Sequence, residues 1–83
     1  MQKILLKDYT DDMGIFIDLE HDEKEVIADK EIKINYDNLV INFKEYLDKD
    51  KKYYIYCSGG VKSKKAVNIL EFYGYNVTLV YKN

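Results

Sequence analysis

The single thiol of this 83-residue sequence, Cys57, is followed by Ser58-Gly59-Gly60-Val61-Lys62-Ser63. It closes an aromatic and β-branched run, Tyr53-Tyr54-Ile55-Tyr56, of the kind that forms central strands. Beyond it Ala66, Val67, Ile69, Leu70 and Tyr73 recur at the spacing of one helix face. A cysteine between a strand and a helix start faces the unpaired N–H groups and the positive dipole end of the helix, which favour a thiolate. Glycines at 59 and 60 are expected to let the backbone curl until N–H groups converge on an anion. Such residues suit nucleophilic attack by sulfur and retention of a negatively charged species in the loop. Lys62 lies inside the turn, where the dipole disfavours a cation unless an anion compensates it. Lys64 and Lys65 read as a solvated face of a chain whose thirteen basic residues are all lysine. The plainer alternative for Cys57 is a buried, inert thiol at the end of a core strand.

Elements on both sides must hold that loop. Ile4 to Leu6 reads as a short strand, and Gly14-Ile15-Phe16-Ile17-Asp18 as a buried strand stopped by an acid. Asp22 to Ala28 is at best a short helix, and Ile32-Lys33-Ile34-Asn35 alternates like a strand. Leu39, Val40, Phe43, Tyr46 and Leu47 then follow helical spacing, with Asn35 or Asp37 as the cap. Lys49 to Lys52 makes a solvated turn, Gly74 stands where a helix-ending glycine belongs, and Val77 to Val80 is a last strand. Strands separated by helices predict one α/β domain over 1–83, with a mostly parallel central sheet flanked by helices. In such sheets ligands bind beyond the carboxyl ends of strands, where Cys57 falls. Asp18 is a candidate to orient the loop, although an acid that ends a strand commonly caps the next turn. Tyr36, just after a strand end, is a candidate pocket residue.

Composition narrows the partners. The chain is 47% hydrophobic and 34% charged, a balance that suits a folded globule. A net charge of −2 with no arginine leaves neither the basic footprint nor the usual base-edge reader of a nucleic-acid-binding protein. No apolar run is long enough to span a membrane, and the opening Ile4-Leu5-Leu6 is too short for a signal-peptide core. One cysteine cannot form an internal disulfide, so the cytoplasm is the expected compartment. His21 lies among Glu20, Asp22 and Glu23 without ligands at defined spacing and reads as part of a solvated turn. Neither a metal nor a cofactor is expected.

The string from Cys57 to Ser63 resembles the active-site loop of the rhodanese-like sulfurtransferases: cysteine, two variable residues, glycine, a variable residue, arginine, then often serine. Cys57, Gly60 and Ser63 match, and Lys62 occupies the arginine position. Ile15-Phe16-Ile17-Asp18-Leu19 is similar to the family's early strand, with Asp18 at its acid and Glu20 in place of an arginine. Ile34-Asn35-Tyr36 resembles the approach to its middle helix, and Asn76 to Val80 its last strand, so the likeness covers about residues 14–81. The family's Gly-His-Ile-Pro-Gly-Ala segment is replaced by Ile27-Ala28-Asp29-Lys30-Glu31-Ile32. The resemblance implies that Cys57 takes sulfur as a persulfide from thiosulfate or another sulfane donor and passes it to a thiol, cyanide or a protein acceptor. N–H groups of residues 58 to 62 would hold the anion, Lys62 would attract the donor, and Ser63 would cap the next helix. Lysine is a point charge where arginine offers a planar fork of donors, so donor choice would differ. Two other readings stay open: a catalytically silent module that binds a partner protein, and a cysteine-dependent phosphatase or arsenate reductase-like enzyme. The last requires arginine where this chain has Ser63, after a longer loop.

Overall fold

The aromatic run before Cys57 forms the centre of a parallel sheet. A computed structural model describes residues 1–19 and 31–82. The elements are β1 (Gln2–Leu5), two 3-10 turns (Leu6–Asp8 and Asp11–Met13), β2 (Ile15–Asp18), β3 (Ile32–Lys33), α1 (Tyr36–Tyr46), β4 (Lys52–Tyr56), α2 (Val61–Phe72) and β5 (Asn76–Tyr81). The strands lie in the order β1-β5-β4-β2-β3, and every pairing is parallel. Tyr54 of β4 stands between Phe16 of β2 and Thr78 of β5.

Alternation along β4 sends Tyr53, Ile55 and Cys57 to one face and Tyr54 and Tyr56 to the other. Tyr53, Ile55 and Cys57 join Ile17, Leu19, Leu39, Phe43, Ala66, Val67 and Leu70 in one buried cluster. Tyr54 and Tyr56 join Phe16 and Val80 in a second, against which Ile4, Leu6, Tyr9 and Met13 pack. A strand covered on both faces loses polar alternation, which is why 53–57 read as a continuous apolar and aromatic run.

Topology decides which face each connection takes. From β3 through β4 to β5 the chain moves in one direction across the sheet, so right-handed crossovers put α1 and α2 on the same face. From β1 to β2 it moves the opposite way, and that connection, carrying the two 3-10 turns, packs on the other face. Among the described residues, therefore, both α-helices lie on one face, and 3-10 turns rather than a helix cover the second.

Local boundaries differ from the sequence expectation for stated reasons. Leu6 leaves the strand, opens the first 3-10 turn and packs into the second cluster. β3 stops at Lys33 because Asn35 is taken up as the cap of α1, its Oδ1 accepting from the N–H groups of Asp37 at 2.9 Å and Asn38 at 3.4 Å. Tyr46 is exposed, whereas Leu47 is buried and closes the helix with its N–H on the Phe43 carbonyl at 2.8 Å. Gly74 takes φ +88°, as a helix-ending glycine should. The expected Asp22 to Ala28 helix and His21 lie outside the described residues.

Gly14 leads into β2 with an extended backbone, and the reason for glycine there is space. A Cβ at this position would lie 2.6 Å from the Lys52 carbonyl oxygen and 2.9 Å from the Tyr54 ring. The Gly14 carbonyl also accepts from the Tyr9 hydroxyl at 2.7 Å, and burial, followed by the nearby Asp11 carboxylate, pushes the Tyr9 phenol up, which keeps it a donor. Since backbone cannot swing away like a side chain, Gly14→Ala is expected to destabilise the domain by about 1–3 kcal/mol. Urea denaturation of the two proteins, with unchanged slope and a lower midpoint in the variant, checks this.

Candidate functional site

A parallel sheet opens a crevice where connections from two adjacent strands leave in opposite directions. Here those strands are β2 and β4: β2 is followed by β3 on one side, and β4 is followed by α2 and β5 on the other. Their pairing ends with Asp18 opposite Tyr56, and the Leu19 N–H on the Tyr56 carbonyl at 2.8 Å extends it by one residue. Cys57 is the next residue on β4's strand, 2% exposed and on the face carrying the helices.

The chain from Cys57 to Ser63 turns back on itself. The Gly60 N–H donates to the Cys57 carbonyl at 3.3 Å, and Gly60 then caps α2 in the left-handed region, φ +79°. Of the two loop glycines, Gly60 is the one whose backbone requires glycine. Gly59 has no such φ, and a Cβ there would meet nothing within 4 Å, so the expected need for two glycines reduces to one. The first turn of α2 brings the Ser63 N–H to Cys57 Sγ at 3.2 Å. Ser63 Oγ lies 3.3 Å from the same sulfur and donates to the Gly60 carbonyl at 3.2 Å.

Ser63 is therefore not the cap that the sequence suggested. Gly60 holds that position, and Ser63, fully buried in the first turn, reaches backward to the thiol. Its N–H also lies beyond the 58–62 stretch expected to supply donors. A serine two residues inside a helix that starts just after a cysteine was the available signal, since side chains in a first turn point back toward the N-terminus.

A separate hollow of about 440 Å³ is lined by Gln2, Lys3, Ile4, Lys52, Tyr54 and Thr78. Gln2 and Lys52 begin their strands, so the hollow opens at the end of the sheet opposite Cys57, and no thiol lines it. Among the described residues no group of three or more His, Cys, Asp or Glu side chains could hold a metal ion, and no helix is long and apolar enough to cross a membrane.

No protein-family model matches the sequence, and no curated protein matches it. Solved structures do. A rhodanese-related protein from Thermoplasma volcanium superposes with TM-score 0.79 at 25% identity, covering 98% of this chain and 84% of that one. A rhodanese-like domain protein from Staphylococcus aureus gives 0.73 at 25% identity, over 94% of this chain and 82% of the other. This chain is a rhodanese-like domain. It also matches CoADR-RHD of Bacillus anthracis at TM-score 0.80 and 28% identity, where 96% of this chain spans 15% of that longer one.

Within this rhodanese-like domain the remaining candidates separate. Ser58, Gly59, Val61 and Lys62 are exposed around the loop, Val61 at 63%, so its rim offers an apolar side chain beside a cation. Lys62 is exposed on the first turn of α2, as are Lys64 and Lys65 beyond it. Asp18 is buried, but the pleat places it with Tyr56 and Phe16, on the face away from the Cys57 side chain. Tyr36 begins α1 half-buried and packs against the cluster that contains Cys57. The rhodanese-like loop thus brings Cys57, Gly60 and Ser63 into direct contact, while Lys62 and Val61 border it.

Proposed function

We propose that this rhodanese-like domain is a sulfurtransferase that carries sulfur as a persulfide on Cys57. The observation that supports this reading is the Ser63 N–H directed at Sγ over 3.2 Å, at the mouth of α2 and the switch point of the sheet. The thiolate attacks the outer sulfur of thiosulfate or another sulfane donor. The new Sγ–S bond forms as the donor's S–S bond breaks, and sulfite or the donor thiolate leaves with the electron pair. Loop N–H groups and Lys62 attract the donor anion and hold the charged terminal sulfur, with Lys62 a mobile point charge in place of a planar fork. Cyanide, a thiol or a protein acceptor then takes the sulfur. This chain has one cysteine, so discharge requires a second molecule, and the reducing cytoplasm suits such traffic.

Incubation with thiosulfate followed by intact-mass measurement is expected to show one added sulfur atom, and addition of cyanide to release it as thiocyanate. A second reading, a silent module that binds a partner protein, draws on the 2% exposure of Cys57, which requires any donor to reach sulfur through the loop mouth. A protein that gains no sulfur from thiosulfate or from a small persulfide would sink the sulfurtransferase reading in favour of the module.

A further inference from the structure

Resting on that reading, we propose that the Ser63 hydroxyl is a two-position donor that stabilises Cys57 as the leaving thiolate when sulfur is handed on, so that Ser63 governs discharge more than loading. In the protonated site the thiol can donate to Ser63 Oγ across 3.3 Å, and the Ser63 hydroxyl donates to the Gly60 carbonyl at 3.2 Å. Once Sγ bears charge it has no proton to give and becomes the strongest acceptor near that hydroxyl. A rotation about one C–O bond brings the hydroxyl hydrogen from the Gly60 oxygen to Sγ, with no heavy atom displaced. The Gly60 carbonyl is not orphaned by this turn, because the Lys64 N–H also donates to it at 3.2 Å. Ser63 is fully buried, so water does not compete for either position.

The consequence differs between the two half-reactions. During discharge the acceptor attacks the outer sulfur, the Sγ–S bond breaks, and its electron pair goes to Sγ, where the hydroxyl turns to meet it. In the loaded state the charge sits on the outer sulfur, one bond beyond the Sγ that Ser63 contacts, so the hydroxyl can keep its bond to Gly60 and stabilises the departing thiolate more than the persulfide. During loading the same hydrogen bond raises the thiolate population but makes each thiolate a weaker nucleophile, and the effects partly cancel.

Single-turnover kinetics on the full chain separate these steps. With Ser63→Ala, discharge of the preloaded persulfide to cyanide is expected to slow about tenfold, the scale of one charge-assisted hydrogen bond. Loading from excess thiosulfate is expected to slow by clearly less, and Ser63→Thr, which keeps the hydroxyl, to recover much of the discharge rate. A second readout needs no sulfur transfer: thiolate absorbance at 240 nm, at one fixed pH, is expected to fall in Ser63→Ala and return in Ser63→Thr. Equal slowing of both steps, or parental absorbance in the alanine variant, overturns the inference. If the parent takes up no sulfur the sulfurtransferase reading fails by itself, and the absorbance comparison still decides whether the hydroxyl supports the thiolate. If Ser63→Ala fails to fold, the Ser63 13Cβ resonance of the parent decides: it must move when the thiol is ionised and stay fixed in Cys57→Ala.

Discussion

Cys57→Ser is expected to acquire no sulfur from any donor while folding as the parent does. The hydroxyl is the wrong nucleophile, since it remains protonated where a thiolate forms and has no comparable affinity for sulfane sulfur. It is nevertheless a good structural substitute. The Ser63 N–H that now donates to Sγ at 3.2 Å would find an oxygen in nearly the same place, and Ser63 Oγ would keep its bond to Gly60. Cys57→Ala has the opposite balance. It leaves that buried N–H without its acceptor, at a cost of about 1–3 kcal/mol, so the alanine variant should melt below the serine variant although both are inactive. Intact mass after thiosulfate treatment reads the first half of this prediction, and paired thermal denaturation reads the second. A serine variant that still gained sulfur would place the carrier on another residue.

Leu70→Ala is expected to produce the largest loss of stability. Leu70 is fully buried on α2, in the cluster that holds Ile55, Val67, Val77 and Leu79, and the Tyr75 N–H returns to its carbonyl at 3.0 Å. Removing its side chain forfeits the transfer free energy and leaves a cavity, together costing about 2–5 kcal/mol. Domains of this size hold only about 5–15 kcal/mol in total, so a substantial share is lost. The midpoint of thermal unfolding should fall by at least about 8 °C. The damage extends to the site, because α2 carries Ser63 at one end and Leu70 seven residues on, on the same buried face. Protein that remains folded should show the Ser63 amide less protected from hydrogen exchange. A shift of only a degree or two would show that Leu70 is not a principal contact between helix and sheet.

Much of the site was legible because its determinants are local. The position of Cys57 after a strand and before a helix follows from the apolar run at 53–56 and the helical spacing of Ala66, Val67 and Leu70, and the structure places β4 and α2 on either side of the thiol. The helix cap was legible only as a choice. Asn35 and Asp37 are both good caps by residue type, and Asn35 takes the role because its Oδ1 meets two N–H groups. Gly59 and Gly60 are alike as residues. The path from the Cys57 carbonyl into α2 demands positive φ at the second of them.

What the sequence determined by itself was the five strands and the two α-helices around the thiol, to within a few residues, and the chemical types at their ends, because hydrophobic period, capping residues and turn glycines act locally. Only the tertiary structure decided the order β1-β5-β4-β2-β3, since that order depends on which strands meet across the sheet. It also sent the 3-10 turns to one face and both helices to the other, a matter of crossover direction that no local pattern carries. The same global geometry turned Asp18 to the far face from the thiol and brought a serine six residues after Cys57 within hydrogen-bond reach of it. Residue type could single out the thiol, but its hydrogen-bond partner depended on how the strand and helix were set against each other.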